Sequence, residues 1–150
     1  TGARVREFIA LNLEDVDFVS GAVDIRKGKG NKSRTVFVGK KSRKAVRAWL
    51  KQRDDNSPAL WVTKAGERLA VSSLQGMLKR RAKVASITAP SPHDFRRQFA
   101  LSMLRAGVDV FSLQRLMGHS DLTTLRRYLA QDASDLQAAH AKGGVVDKIF

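Results

Sequence analysis

Residues 91–120 read SPHDFRRQFALSMLRAGVDVFSLQRLMGHS, and this stretch decides the class of fold. Phe95, Phe99 and Met103 recur at four-residue spacing, which brings side chains to one face of an α-helix. The pattern predicts a helix over 93–106. Gly107 closes it, because glycine takes the left-handed conformation of a helix end at no steric cost. Asp109 is suited to cap a second helix carrying Val110, Leu113, Leu116 and Met117, which Gly118-His119 then breaks.

Downstream, Ser120 or Asp121 is expected to cap a third helix through Leu129, with a fourth over 133–141. Upstream, Leu74, Met77, Leu78 and Val84 mark a helix over 71–85, and Val46, Trp49 and Leu50 mark one over 42–53. Nearer the N-terminus the composition changes. Residues 18–27 and 34–39 are rich in Val, Ile, Phe and Thr and read as strands. Between them Gly28-Lys29-Gly30-Asn31-Lys32 is a turn sequence, giving a hairpin with a basic tip. Leu60-Trp61-Val62-Thr63 reads as a further short strand before a turn at 64–67. Val5, Phe8, Ile9 and Leu13 have roughly helical spacing. The expected class is α+β: a mainly helical domain with a small three-stranded antiparallel sheet. Because the chain starts directly in a patterned segment, it is expected to be part of something longer.

A length of 150 residues is that of one ordinary domain, and 43% apolar residues supply a core. Lys and Arg number 28 against 14 Asp and Glu, a formal charge of +14 that favours a polyanion as partner. Nucleic acid is the first candidate, since each phosphate neutralised releases condensed counterions. An anionic membrane surface is the rival, but no basic amphipathic stretch has the broad apolar face it requires. The absence of cysteine excludes disulfides and thiolate chemistry, and agrees with a reducing cytoplasm. His93, His119 and His140 have no zinc-ligand spacing, so neither metal nor other cofactor is expected. No apolar run approaches a membrane span, and there is no signal-peptide pattern.

Several polar residues interrupt the apolar patterns. His93 and Arg96 lie three apart on one helix with Arg97 beside them, which taken alone suggests an exposed basic helix end. Arg4 and Glu7 have the same spacing, and an intrahelical ion pair explains them. Lys29 at a hairpin tip reads as a solvated turn lysine. Tyr128 differs in kind: it is the sole tyrosine, and Arg126 and Arg127 precede it. Guanidinium groups nearby would favour the phenolate and bind an attacked phosphate, although a tyrosine packed beside arginines by chance has the same sequence.

The order of these residues carries more than any one of them. Thr1-Gly2-Ala3-Arg4-Val5-Arg6-Glu7 resembles the T-G-x-R-x-x-E box of the tyrosine recombinases, the phage integrase family. Residues 28–34 resemble that family's G-K-G-N-K-x-R hairpin, and Ser91-Pro92-His93-Asp94-Phe95-Arg96 its H-x-x-R box. Leu116-Met117-Gly118-His119-Ser120 resembles its L-x-G-H-S box, and Tyr128 follows His119 by the family's nine residues. The resemblance runs from residue 1 to about 132. Two departures, Arg97 and the run Leu129-Ala130-Gln131, stand where members often carry histidine, and bear on subfamily.

The resemblance implies a catalytic set of Arg4, Lys29, His93, Arg96, His119 and Tyr128, with Glu7 orienting Arg4 or His93. It implies that Tyr128 attacks a DNA phosphodiester to give a 3′-phosphotyrosyl enzyme, without metal or cofactor. Lys32, Arg34, Arg97, Arg126 and Arg127 are expected to contact double-stranded DNA. A type IB topoisomerase-like enzyme and a non-catalytic DNA-binding module are the alternatives. A catalytic domain over 1–141 and a tail over 142–150 are expected. The tail's Val145, Val146, Ile149 and Phe150 favour burial, either on the chain's own domain or, as the resemblance implies, on a neighbouring protomer of a DNA-bound assembly.

Overall fold

A computed structural model describes residues 1–26 and 33–118. The expectations for Lys29, Lys32, His119, Arg126, Arg127, Tyr128, the last two helices and the tail lie outside them. The described elements are α1 (Val5–Ala10), a 3-10 turn (Leu13–Asp15), β1 (Ala22–Ile25), β2 (Arg34–Phe37), α2 (Lys40–Leu50), α3 (Val71–Val84), α4 (Pro92–Arg105) and α5 (Val110–Met117). This is the expected α+β class, mainly helical.

The sheet is smaller than expected. Among the described residues it has two strands, not three: β1 and β2 pair antiparallel with Val23 opposite Val36 and Ile25 opposite Arg34. The predicted strand over 60–63 makes only an isolated bridge, Val62 to Arg68, while its neighbour Ala59 bridges Asn12. The physical reason is local. The Thr63 amide donates to the Glu67 carbonyl at 2.8 Å, and Gly66 takes a φ of +76°, so the segment folds back on itself at once. The first strand also starts later than expected. Asp17 accepts from the Val19 amide (2.7 Å) and the Ser20 hydroxyl (2.5 Å), a side-chain-closed turn that holds residues 18–20 out of the ladder.

The core gathers Leu11, Val23, Ile25, Val36 and Leu60, with Phe18, Val46, Leu50 and Trp61 packed against it. The helices of the deciding stretch form almost as the sequence requires. Ser91 caps α4: its hydroxyl accepts from the Asp94 amide, and the Asp94 carboxylate accepts from the Ser91 amide at 2.8 Å. Gly107 follows at φ +83°. The Asp109 carboxylate accepts from the Ser112 amide at 2.9 Å and starts α5. α5 packs against α4 and β2, and Leu113 at its centre is wholly buried.

Leu113→Ala should therefore cost about 2–5 kcal/mol, the usual range for emptying a buried leucine site. Phe111, on the same helix but 76% exposed, should tolerate alanine within about 0.5 kcal/mol. Urea denaturation of the two variants checks both. Equal losses would mean that α5 packs through another face.

Candidate active site

A helix leaves its last carbonyls without intrahelical donors. At the end of α5, three arginines from three different elements supply them. Arg34, the first residue of β2, donates from Nε to the Leu116 carbonyl at 2.8 Å. Arg96, on α4, donates from Nη2 to the Met117 carbonyl at 2.7 Å. Arg4, which precedes α1, donates from Nη2 to the Gly118 carbonyl at 3.1 Å. Successive carbonyls thus receive successive guanidiniums at the negative end of the helix dipole.

Each arginine arrives there for a local reason. Arg96 stands one turn inside α4, on its buried side. Only 7% exposed, it also donates to the Gly2 carbonyl. Gly2 permits that approach: its φ is +63°, and a Cβ there would lie 2.5 Å from the Phe99 ring. Arg4 is drawn back by Glu7, whose carboxylate accepts from the Arg4 backbone amide (2.7 Å) and from its Nη1 (2.9 Å). Arg34 faces inward because strand alternation puts it on the same side as the buried Val36.

Glu7 lies between the arginines. Its side chain is 4% exposed and accepts from Arg34 at 3.0 and 2.7 Å as well as from Arg4. Burial opposes its ionisation, but the Arg34 hydrogen bonds and those of Arg4 prevail and hold its pKa down, at about 2 against an ordinary 4.5. Gly118 ends α5 in the left-handed conformation, φ +73°, and a Cβ on it would lie 2.9 Å from an Arg34 nitrogen. A groove of about 670 Å³ opens beside Arg4, lined also by Arg6, Glu7, Asp24, Arg26 and Arg68. Its walls mix both signs of charge, whereas the three guanidiniums that meet the end of α5 share one named carboxylate, Glu7.

The described residues thus bring Arg4, Glu7, Arg34 and Arg96 together at the end of α5, whose closing Gly118 precedes His119 in the sequence. His93 is exposed on the first turn of α4, and the hydrogen bonds of Glu7 run to Arg4 and Arg34. Arg97 is exposed. Arg34 was expected to contact DNA; here its side chain, 10% exposed, is bound to Glu7 and the Leu116 carbonyl. Strand period puts Arg34 on the face of Val36, but with Val36 and Phe37 adjacent and both apolar, Arg34-Thr35-Val36-Phe37 does not say which of the two faces inward.

Residues 1–135 match the family model described as the phage integrase family. The chain belongs to that family. It is 33% identical over 153 residues to tyrosine recombinase XerA of Pyrococcus furiosus, covering 100% of this chain and 53% of that protein. It is 38% identical over 141 residues to tyrosine recombinase XerC of Alcanivorax borkumensis, covering 90% of this chain and 46% of that protein. The chain therefore spans about half the length of these curated relatives. Among solved structures, XerA recombinase is similar at a TM-score of 0.80 with 31% identity, over 95% of this chain and 54% of that one. XerH recombinase bound to its difH substrate is similar at 0.74 with 25% identity, over 94% of this chain and 43% of that one. Tyrosine recombinases are thus the relatives in both sequence and fold. No described helix is long and apolar enough to cross a membrane.

The family's acidic residue should carry a measurable pH signature. Glu7 has a lower pKa folded than unfolded, so its stabilisation is fully present above about pH 4.5 and is lost as pH falls towards 2. A shift of this size corresponds to on the order of 3 kcal/mol. The stability gap between wild type and Glu7→Gln, from urea denaturation, should therefore narrow across that window. A gap that stays constant down to pH 2 would mean Glu7 is not held by its arginines.

Proposed function

We propose that this chain is the catalytic part of a site-specific DNA recombinase that cleaves and rejoins strands through a 3′-phosphotyrosyl intermediate. The observation that carries the reading is the convergence of Arg4 and Arg96 on the last turn of α5, one residue before His119, in a member of the phage integrase family. The curated relatives are named recombinases, which favours recombination over the topoisomerase-like alternative.

In this reading the phenolic oxygen of Tyr128 attacks the scissile phosphorus in line. The bond to the 5′-oxygen breaks, and the DNA 3′-phosphate stays on the tyrosine. His93 takes the phenolic proton, and Lys29 gives a proton to the departing 5′-oxygen. The 5′-hydroxyl of another strand then attacks the phosphotyrosyl bond, and the proton transfers run in reverse. The phosphoester energy is conserved, so no external energy source is required, and the hard displacement is split into two easier ones.

Negative charge gathers on the non-bridging oxygens in the transition state. Arg4 and Arg96 bind those oxygens, and His119 adds a hydrogen bond. A guanidinium fixed in its plane is a preorganised donor fork. Donors of this sort contribute about 3–4 kcal/mol each in oxyanion holes. Their charge does the work that a divalent metal does elsewhere, and the reaction is metal-independent. Lys32, Arg97, Arg126 and Arg127 contribute contacts to the DNA backbone. The DNA substrate puts the reaction in the cytoplasm. Protomers assemble on DNA through the apolar tail from Val145 to Phe150, which docks on a neighbour.

The test is covalent selection. The full chain is incubated with nicked duplexes of randomised sequence and denatured, and the attached DNA is sequenced. A recurring sequence in a denaturant-stable adduct is expected, and Tyr128→Phe should abolish the adduct while DNA binding persists. An adduct that survives in Tyr128→Phe would remove Tyr128 from the nucleophile's role. On the recovered duplex, Lys29→Ala should slow cleavage by roughly 10²–10⁴-fold, the worth of general acid help. It should cleave near the wild-type rate when sulfur replaces the leaving 5′-oxygen, because a thiolate leaves without a proton. Equal impairment on both substrates would make Lys29 a binding residue.

A further inference from the structure

We infer that Arg34 is a positioning residue of this site: from the core face of β2 it bridges Glu7 and the Leu116 carbonyl, fixing the turn at Gly118 from which the chain enters His119. The inference rests on the recombinase reading and adds a residue that acts through others, not on the phosphate.

The case begins with where Arg34 stands. It lies opposite Ile25 in the ladder, on the face that buries Val23 and Val36. Arginine is a costly choice for an inward strand position unless its donors are matched. Here Nε, Nη1 and Nη2 all donate: to Leu116, to one Glu7 oxygen and to the other. A planar fork can serve a carboxylate with two nitrogens and a carbonyl with the third, whereas a lysine has one nitrogen for both tasks.

The second strand of the case is Gly118. The Arg34 guanidinium lies so close that a Cβ on Gly118 would approach Nη1 at 2.9 Å and Cζ at 3.0 Å. Side chain and glycine therefore fit as one unit at the residue that precedes His119 in the sequence. The third strand is the coupling. Glu7 is shared by Arg34 and Arg4, so the residue that fixes the α5 turn also fixes the carboxylate that orients Arg4. Arg34 also begins β2, so the same bonds tie the start of that strand to α5.

The experiment compares wild type, Arg34→Ala and Arg34→Lys as full chains on the duplex recovered by covalent selection. Three quantities are read: single-turnover adduct formation at saturating DNA, affinity as a function of salt, and the rate against pH. Displacing a positioned group commonly costs up to about 10²-fold, so Arg34→Ala should lose at least about tenfold in rate, with partial recovery in Arg34→Lys. Affinity and its salt slope should match wild type. The acid limb of the rate should move to higher pH in Arg34→Ala, where Glu7 has lost its strongest favourable partner, and stay near wild type in Arg34→Lys. A phosphate contact would instead weaken binding and flatten the log–log salt slope by about 0.9, and that result overturns the inference. An unchanged rate in Arg34→Ala, or an unmoved acid limb, also overturns it. If thermal melts show Arg34→Ala unfolded, Arg34→Lys is judged by its rate and affinity. If both are unfolded, Arg34 is a folding residue and the inference is wrong. A wild-type chain that captures no duplex overturns the recombinase reading together with this inference. A cleaving wild type with an equally fast Arg34→Ala overturns the inference alone.

Discussion

The carbonyls that close α5 are the point on which the rest of this structure turns. Leu116, Met117 and Gly118 present successive acceptors, and the donors come from β2, α4 and the start of α1. Those three parts of the chain are separated by tens of residues in sequence. A helix end that needed only satisfaction could have used water or a tightened last turn. Three guanidiniums do more, because each has a planar geometry that constrains where its own element can lie. The position of β2 against α5, of α4 against α5, and of the first helix against both is written into one set of hydrogen bonds. Gly2 and Gly118 are consequences of it. Each is a place where an arginine, or the ring beside it, occupies the volume a side chain would need.

Much of this architecture was legible beforehand. The period of α4, the Gly107 stop and the Asp109 cap are local features, and local chemistry was enough to place them, whereas the Ser91 cap went unread and α4 starts one residue before the expected 93. The resemblance in the first box placed Glu7 beside Arg4. What failed was non-local or a matter of competition. The segment over 60–63 has strand composition, but its turn closes too early for it to join a sheet. Residues 18–20 have strand composition too, but Asp17 and Ser20 offer their backbone a different set of hydrogen bonds. Arg34 was expected among the DNA contacts, with nothing said of which face of its strand it takes. It is governed by its alternation with Val36, which sends it inward. Where charge type and strand period conflict, the period decides the direction of the side chain. The charge then has to be satisfied wherever the period sends it.

Across the site that satisfaction combines one shared carboxylate with backbone dipoles. Among these four side chains Glu7 is one carboxylate against three guanidiniums, a formal sum of +2, and the other named anchors are backbone carbonyls. A carboxylate holds a guanidinium at least as firmly as a carbonyl does, but it also cancels the field around it. Carbonyl oxygens orient a guanidinium through partial charges and bring no formal negative charge of their own. Buried ion pairs also return little net stability once both charges are desolvated. The single carboxylate is therefore best used where it fixes geometry for two arginines at once, between Arg4 and Arg34. A centre built this way keeps its cations in fixed planes, which is the preorganisation that the proposed strand cleavage asks of Arg4 and Arg96.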